Sequence, residues 1–377
     1  RGTERQKFHC DVFICHLNQL ESTGQDNGQA AQNRRENEFA CAHASSTLRP
    51  TYGTIRGALL LTITDMKILI TGASGLIGQA LSKELVARGH TTVAAVRRSP
   101  RRNDEVQWDP QSGVMSPDAF QGVDAVVHLA GAGIGDKRWT DSYKMEILES
   151  RTRGTRLLAE TMASLEVKPS VFLSGSAIGI YGVRDDEELT EQSAIGSGFL
   201  ADVCRDWEAA AAPATQAGIR TVLLRTGIVL SPKGGALKKQ LPLFKLGLGG
   251  KFGNGKQWQS WISITDEVNA IIHLLTSSVS GPVNLTAPQP VTNSDFTRTL
   301  ASVVSRPAVV PIPSFGPKLL LGGELANALL FTGQRVVPSV LSNDGFQFAH
   351  PTLESALRAL LNKRARLPFR HKPTSSL

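Results

Sequence analysis

From position 66 onward, the apolar residues fall into short runs that alternate with segments of helical periodicity. Residues 67–70 (Lys-Ile-Leu-Ile) form a run typical of a buried parallel strand, and residues 92–96 predict a second strand. Between them, apolar positions recur at helical spacing over 76–86, and this pattern stops at Arg88-Gly89-His90. The segment therefore predicts a βαβ unit.

The same alternation continues through the middle of the chain. Apolar runs at 124–131, 171–173 and 221–225 predict further buried strands, and the stretches 141–165 and 199–217 predict helices between them. Alternating strands and helices favour an α/β fold built on a Rossmann-type doubly wound parallel sheet. The histidine within the first of these runs is interpreted as structural, because its neighbours are apolar.

A glycine-rich turn joins the first strand to its helix and carries the clearest chemical signal. Its residues run Thr71-Gly72-Ala73-Ser74-Gly75-Leu76-Ile77-Gly78. The first glycine permits the tight turn, the second lets the backbone approach a pyrophosphate, and the third brings the helix close to the sheet. The helix start then offers free N–H groups and a positive dipole end to phosphates. The turn predicts a dinucleotide site, although its G-x-x-G-x-x-G spacing is one residue longer than usual.

The end of the second strand distinguishes between the two nicotinamide cofactors. An acid there would bind the ribose 2′-hydroxyl of NAD, but none occurs between residues 89 and 103. Arg97 and Arg98 stand there instead, and arginine accommodates a 2′-phosphate. We therefore expect NADP as the cofactor, with NAD the weaker ligand. Two later arginines, Arg101 and Arg102, are expected to be solvated.

Composition narrows the class of protein. The chain has 377 residues, 41% hydrophobic content and a net charge of +8, enough for one large α/β domain or two domains. The modest positive charge suits an anionic small molecule, and no basic stripe with aromatics indicates nucleic acid. No apolar run reaches the roughly 18 residues that span a bilayer. Only Cys204 lies beyond residue 65, which favours a reducing compartment, and we expect the cytoplasm.

The first 65 residues differ in character from the rest. Residues 1–56 are rich in Gln, Asn, Ser, Thr and charged side chains, and such a segment buries too little apolar surface to fold alone. We expect residues 1–65 to be a disordered or non-native extension, with Met66 as the natural start. A transit peptide, which would give an organellar location, is the alternative, and six acids before residue 40 argue against it.

Taken together, the segments from 66 to 362 resemble the extended short-chain dehydrogenase/reductases. They are most similar to NAD(P)-dependent epimerases of the subgroup often labelled nucleoside-diphosphate-sugar epimerase or cell-division inhibitor. The matching segments are MKILITGASGLIG, DAVVHLAGAGIGDKRWT, ESRTRGT, LSGSAIGIYG, GFLADVCRDWEAAA, LLRTGIVLSPKGGAL, LGLGGKFGNGKQWQSWISITD and TGQRVVP. The resemblance implies a Rossmann-type domain over 66–290 with cap segments from about 232–262. It also implies a smaller substrate-capping C-terminal region over 291–371, including a subgroup-specific domain at about 325–371.

The resemblance also implies roles for individual residues. Ser176 matches the family serine that holds the substrate oxygen at the end of its strand. Cofactor contacts are implied for Gly72, Ser74, Gly75, Leu76, Ile77, Gly78, Arg97, Arg98, Leu129, Ala130, Gly131, Arg151, Ser174 and Thr226. No residue is assigned to a metal.

The Tyr-x-x-x-Lys pair that these enzymes use for proton transfer is absent. Counted back from Glu208, which matches a family glutamate, the tyrosine position holds Leu200 and the lysine position holds Cys204. Tyr181 is the nearest alternative catalytic residue, but a tyrosine without a neighbouring cation keeps a pKa of about 10 and is a poor base. We interpret Cys204 as a packing residue rather than a nucleophile.

The later part of the sequence offers weaker signals. Residues 247–256 are glycine-rich and basic and lead to Trp258 and Trp261, which fits either a loop for a nucleotide-linked substrate or a hinge with core tryptophans. Asp266 stands at a predicted helix start, where N-capping and a functional role both explain it. Arg335 is interpreted as a clamp for an anionic group.

Two functions follow from these observations. The first is an NAD(P)-dependent oxidoreductase or epimerase-like enzyme that passes hydride to or from a nucleotide-sugar-like or other carbonyl substrate near Ser176. The second is an NADP-binding regulatory protein with little or no catalysis, associated with cell or organelle division as the subgroup label suggests. We expect a small, anionic substrate and no nucleic-acid or membrane partner, and the resemblance makes a homodimer plausible.

Overall fold

Strands and helices alternate along the part of the chain that the structure describes. The computed structural model describes residues 65–362, so the expectations for residues 1–64 and 363–371 lie outside the described residues. The strands are β1 (Lys67–Thr71), β2 (Thr91–Val96), β3 (Glu105–Asp109), β4 (Val114–Met115), β5 (Ala125–His128), β6 (Val171–Ala177), β7 (Glu188–Leu189), β8 (Arg220–Thr226), β9 (Ile228–Leu230), β10 (Trp258–Gln259), β11 (Trp261–Ser263), β12 (Gly281–Leu285), β13 (Val291–Thr292) and β14 (Arg335–Val336). The helices are α1 (Leu76–Ala87), α2 (Asp141–Ser164), α3 (Phe199–Ala209), α4 (Ala212–Gln216), α5 (Gly235–Lys245), α6 (Ile264–Thr276), α7 (Asn293–Val304), α8 (Phe315–Leu321), α9 (Gly323–Ala326), α10 (Ser339–Asn343) and α11 (Leu353–Leu360).

Eight of the described strands form one sheet in the order β12-β8-β6-β5-β1-β2-β3-β4, in which only the β3–β4 pair is antiparallel. From β1 the chain adds β2 and β3 on one side, and it later adds β5, β6 and β8 on the other. This reversal of strand order opens a crevice at the carboxyl ends of β1 and β5, where ligands bind in sheets of this kind. The Rossmann-type doubly wound fold is confirmed.

The central strands are buried on both faces, which explains their continuous apolar runs. On one face Ile70 and Val127 pack with Ile271 of α6 and with α1. On the other face Leu69 and Phe172 pack with α2. A strand covered on both sides needs apolar residues at successive positions rather than at alternate ones.

Three smaller strand pairs lie outside the large sheet in residues 65–362. Within the described residues β10 pairs with β13, β11 with β9, and β14 with β7. A separate apolar core holds the C-terminal region together and includes Trp261, Phe296 and Leu357, all of them buried. Trp261 is therefore a core tryptophan, as the hinge interpretation expected.

Asp266 connects the end of the chain to the start of α6. Its buried carboxylate accepts hydrogen bonds from the backbone N–H of Ala349 (2.7 Å) and of His350 (3.1 Å). The N-cap of α6 is Ser263, whose hydroxyl accepts from the backbone N–H of Asp266 (3.0 Å). Asp266 thus anchors the C-terminal segment, and Leu341 from the same region enters the main core beside the sheet.

Candidate functional site

A cleft of about 1140 Å³ lies along the carboxyl ends of the central strands. The turn after β1, the end of β2, the segment after β5 and the start of α2 form its walls. The predicted cofactor residues that line it are Gly72, Ser74, Gly75, Arg97, Arg98, Leu129, Ala130 and Gly131. The cleft therefore occupies the crevice that the reversal of strand order creates.

The glycine turn is tight because it lies directly against the segment after β5. Gly72 has a φ of +69°, and a Cβ there would lie 2.7 Å from the backbone carbon of Leu129. A Cβ on Gly78 would collide with the carbonyl oxygen of Gly72, so Gly78 packs the helix against the turn itself. Helix α1 begins after Gly75 with no side-chain cap and no acid in its first turn. Its N–H groups and positive dipole end are therefore available to a phosphate.

The two arginines after β2 differ in their partners. Arg98 donates two hydrogen bonds of 2.8 Å to the carboxylate of Glu105, and the backbone N–H of Arg101 donates a third. These hydrogen bonds lower the pKa of Glu105 to about 2. Arg97 is exposed at the cleft and forms no ion pair with any residue in 65–362. Arg102, expected to be solvated, also lines the cleft, while pairing with nearby acids.

Four other residues implied as cofactor contacts do not line the cleft. Ile77 packs into the main core, and Leu76 packs against Gly234. Ser174 is fully buried, and Thr226 donates to the carboxylate of Glu267 at 3.0 Å. These four residues are not among those that line the cleft, and their cofactor contacts stay a prediction.

Ser176 and Tyr181 belong to one buried hydrogen-bond network. Ser176 Oγ donates to Glu208 Oε1 (2.6 Å), and the same carboxylate accepts from Arg225 Nε (2.8 Å) and Nη2 (2.9 Å). Arg225 Nη1 also donates to the hydroxyl of Tyr181 (3.0 Å), which in turn donates to Asn284 Oδ1 (2.7 Å). The network links β6, α3, β8 and β12 on one side of the sheet.

Tyr181, predicted as the proton carrier, is fully buried. Its side chain has no exposed surface, and its hydroxyl proton is held by Asn284. A cation does lie beside it, contrary to expectation, but burial outweighs Arg225 and raises the pKa of Tyr181. Ser176 is 4% exposed, and neither side chain lines the cleft. In this structure both side chains belong to the buried network, and their catalytic roles stay a prediction.

Cys204 cannot take over the task of the missing lysine. The thiol is buried in α3 and packs with Ile178 and Tyr181. Burial, with a smaller contribution from the Glu208 carboxylate, raises the pKa of Cys204 to about 12. The thiol stays protonated near neutral pH and is inert as a nucleophile, in agreement with its interpretation as a packing residue.

Sequence reasoning missed several side chains at the cleft, among them Asp136, Lys137 and Tyr143. Tyr143 lies in the first turn of α2 and donates a hydrogen bond to the carbonyl oxygen of Gly133. Burial and the charge of Asp136 raise the pKa of Tyr143, so its hydroxyl stays protonated. Lys137 Nζ lies 4.9 Å from the centre of the same ring. The signal was the segment AGAGIGDKRWT, which carried the resemblance but gave no residue a role.

The sequence suggested Arg335 as a clamp for an anionic group, but in the structure its guanidinium already has partners. It pairs with Glu188 at 3.0 Å and lies over the ring of Trp258, 5.0 Å from the ring centre. Trp258 donates its indole N–H to Asp186 at 2.7 Å. These contacts make Arg335 part of the packing between β14 and β7.

Glu267 is a fully buried acid, and its burial disfavours the ionised form of the carboxyl group. Its only described hydrogen bond comes from the hydroxyl of Thr226, and burial raises its pKa to about 8. Since this pKa lies above the reference value of 4.5, Glu267 adds stability at low pH that is lost as pH rises through about 8.

Replacing Glu267 by glutamine should therefore flatten the pH dependence of stability. Glutamine keeps an acceptor for Thr226 but cannot ionise, so the wild type should lose on the order of 3 kcal/mol more than the variant between pH 5 and 8. Urea unfolding at both pH values measures this difference. The exposed Glu149→Gln serves as the control and should keep the wild-type slope, whereas parallel slopes for E267Q and the wild type would contradict the argument.

A family model described as the NAD dependent epimerase/dehydratase family matches residues 68–286, which hold the glycine turn, the cleft and the buried network. The chain belongs to the NAD-dependent epimerase/dehydratase family. A second family model, described as a domain of unknown function (DUF1731), matches residues 312–360 of this epimerase-family chain. The resemblance derived from the sequence is thereby confirmed.

Among the described residues, no helix is both long enough and apolar enough to cross a membrane.

Several relatives match this epimerase-family chain over most of its length. It is 44% identical over 291 residues to the epimerase family protein Mb2239 of Mycobacterium bovis, covering 77% of this chain and 96% of the relative. It is 37% identical over 307 residues to the chloroplastic SDR39U1 homologue of Arabidopsis thaliana, covering 79% and 87%. The crystal structure of human epimerase family protein SDR39U1 (isoform 2) with NADPH superposes with a TM-score of 0.73 at 33% identity, covering 79% of this chain and 99% of that one.

Proposed function

We propose that this epimerase-family chain binds NADPH in the cleft and transfers hydride to or from a carbonyl carbon of a small, anionic, nucleotide-sugar-like substrate. The observation that carries the proposal is Arg97, a guanidinium without an ion pair among the described residues, exposed in the cleft next to the uncapped start of α1. A human relative, 33% identical, is described as a complex with NADPH, which supports the same cofactor here.

Different residues of the cleft would bind different parts of the cofactor. The turn from Gly72 to Gly75 and the first N–H groups of α1 would hold the pyrophosphate. Arg97, with Arg102 beside it, would hold the 2′-phosphate through charge-assisted hydrogen bonds. The small residues from Leu129 to Gly131 leave room for the nucleotide. When bound, the nicotinamide supplies the hydride chemistry, and the protein supplies position and a protonated group.

Tyr143 is the residue we propose as that protonated group. Tyr143 is itself 5% exposed and its hydroxyl donates to the carbonyl oxygen of Gly133, but of the two tyrosines in the described part of the chain it is the one that lines the cleft. The raised pKa of Tyr143 keeps its hydroxyl protonated near neutral pH, so the hydroxyl can donate a hydrogen bond to a carbonyl oxygen.

A second function, cofactor binding without turnover, is favoured by one specific observation. Leu200 and Cys204 stand where the dyad is expected, and the Cys204 thiol has a pKa of about 12. To separate the two functions, the full chain with NADPH is tested for cofactor oxidation against aldehydes, ketones and nucleotide sugars. Turnover that Tyr143→Phe slows would support the enzyme, bound NADPH without turnover would support the regulatory protein, and a chain that binds no NADPH contradicts both.

Replacing Arg97 by alanine should weaken NADPH binding about 10- to 100-fold and leave NADH binding unchanged. Only NADPH carries the 2′-phosphate, and the variant removes charge-assisted hydrogen bonds to it. Isothermal titration with both cofactors measures the effect. Arg101→Ala is the matched control, because Arg101 is exposed and does not line the cleft. An equal loss for the two cofactors would show that Arg97 does not read the 2′-phosphate.

We also propose a reducing compartment for this protein. The one cysteine among the described residues, Cys204, is free and buried, and the Arabidopsis relative is named chloroplastic. A fluorescent fusion of the full chain would show whether residues 1–65 direct it to an organelle or leave it in the cytoplasm.

A further inference from the structure

Five aliphatic side chains protrude from the C-terminal half of the chain and are left uncovered by residues 65–362. Leu243 and Leu246 lie at the end of α5, and Leu248 follows them in the next loop. Val309 and Val310 come from the loop between α7 and α8. Their exposed fractions are 44%, 72%, 67%, 85% and 71% in that order. These five residues are called the aliphatic surface below.

The two segments that carry the aliphatic surface lie side by side. Arg306 Nε donates a hydrogen bond to the carbonyl oxygen of Lys245 (3.0 Å). A few residues further along both segments, a Cβ on Gly250 would collide with the carbonyl oxygen of Val310. The five side chains therefore adjoin one another instead of being scattered singly. A contiguous exposed apolar patch of this kind marks an interaction site.

The two segments are also basic and free of acids. Residues 209–265 and 296–323 contain no Asp or Glu. The stretch from 233 to 256 carries six lysines, namely Lys233, Lys238, Lys239, Lys245, Lys251 and Lys256. In residues 65–362 the lysines that pair with an acid are Lys137 and Lys144, so the charge of these six is not neutralised by an ion pair there.

Helix α5 presents both properties on its outer face. Its inner face buries Leu237, Leu241 and Phe244 in the C-terminal core. Its exposed positions include Lys239 and Leu243, which are four residues apart and therefore neighbours on one face of the helix. Cations thus flank the aliphatic side chains directly.

This combination favours an anionic lipid surface over other partners. A second copy of this chain would bring the same lysines face to face, and like charges oppose association. Single-stranded nucleic acid stacks on aromatic rings, and the aliphatic surface contains none. A bilayer needs no matching pocket for protruding aliphatic side chains, because they enter its interface while lysines bind the anionic head groups.

We propose that the aliphatic surface docks this protein peripherally on a membrane that contains anionic phospholipid. The five aliphatic side chains enter the interface, and the lysines of α5 bind the head groups. Such docking requires no membrane-spanning helix. A membrane partner replaces the expectation of none, and it is independent of the proposed cofactor chemistry.

Co-sedimentation of the full chain with vesicles tests this docking. The chain should bind vesicles of equal parts phosphatidylcholine and phosphatidylserine roughly tenfold or more tightly than vesicles of phosphatidylcholine alone, and added salt should weaken the binding. Val309→Ser should weaken it about tenfold, because the inserted aliphatic side chain is lost. Lys245→Gln should weaken it about fivefold, because one cation near the head groups is lost.

Two exposed residues in the turn before β6 provide matched controls. Val167 is 87% exposed, close to the value for Val309, and Lys168 beside it is also exposed. Val167→Ser and Lys168→Gln should bind vesicles like the wild type. All four variants should keep the wild-type unfolding temperature and NADPH affinity, because the altered side chains are exposed and do not line the cleft. If V309S does not fold, Leu246→Ser takes its place.

Several outcomes would overturn the docking. These are no binding to the mixed vesicles, equal binding to phosphatidylcholine alone, and equal losses in V309S and V167S. Mixed-vesicle binding that both V309S and K245Q leave unchanged would place the membrane contact elsewhere in the chain. A dimer that V309S dissociates, seen by light scattering when no vesicles bind, would assign the surface to a second copy. Binding of polyglutamate without binding of vesicles would assign it to an acidic protein.

Discussion

Replacing Gly72 by alanine should abolish measurable NADPH binding and lower the free energy of unfolding by about 2–4 kcal/mol. An L-residue at a φ of +69° carries a conformational cost, and the new Cβ would lie 2.7 Å from the backbone carbon of Leu129 and 2.8 Å from the backbone nitrogen of Ala130. These backbone atoms directly follow β5, so they cannot move aside without disturbing the end of that strand. Urea unfolding and cofactor titration measure the two effects.

Gly113 offers a matched control for this substitution. Its φ of +71° is close to that of Gly72, but no atom lies within 4 Å of the position where a Cβ would stand. Gly113→Ala should therefore carry the conformational cost alone, about 1 kcal/mol, and leave cofactor binding intact. If G72A and G113A were equally stable and equally able to bind NADPH, close approach at the turn would not be the reason for glycine.

Removing the carboxylate of Glu208 should produce the largest loss of stability among the charged residues of the site. Glu208→Ala leaves the buried Arg225 guanidinium without its counter-ion and Ser176 Oγ without its acceptor. Breaking a buried ion pair from one side typically costs about 3–5 kcal/mol. Chemical denaturation of the full chain measures this loss.

An exposed ion pair on α2 provides the comparison. Arg153 and Glu149 are 2.8 Å apart, with side chains 53% and 40% exposed. Glu149→Ala should cost less than about 1 kcal/mol, because water solvates the remaining charge. A loss in E208A as small as that in E149A would mean that the buried network adds little to the stability of the sheet.

The strands of the sheet could be predicted because burial on both faces leaves a continuous apolar pattern. The runs at 124–131, 171–173 and 221–225 correspond to β5, β6 and β8. The short strands β3 and β4 were not predicted, since EVQWD mixes polar and apolar residues and a two-residue strand has no period. The helix expected over 199–217 is two helices, α3 and α4, and Pro213 lies in the first turn of the second.

At the site, features set by local backbone geometry could be predicted from the sequence, whereas side-chain partners brought together by the fold could not. Glycine identity reports backbone geometry directly, so Gly72 and Gly78 could be interpreted from the sequence. Side-chain partners are set by the fold: the cation beside Tyr181 is Arg225, 44 positions away in sequence. Likewise, the acid that engages Arg98 is Glu105, seven residues later, beyond the acid-free segment 89–103. Arg97 differs from Arg98 only through that partner.

The hydrogen bonds from Ala349 and His350 to Asp266 limit how far the protein can be truncated at its C-terminal side. Deleting the segment matched as a domain of unknown function, 312–360, would remove both N–H donors from the buried Asp266 carboxylate. It would also take Leu341 and Phe346 out of the core that supports the sheet. The two family segments therefore share buried contacts, and we expect a truncated chain that ends near residue 290 to unfold at a lower urea concentration than the full chain.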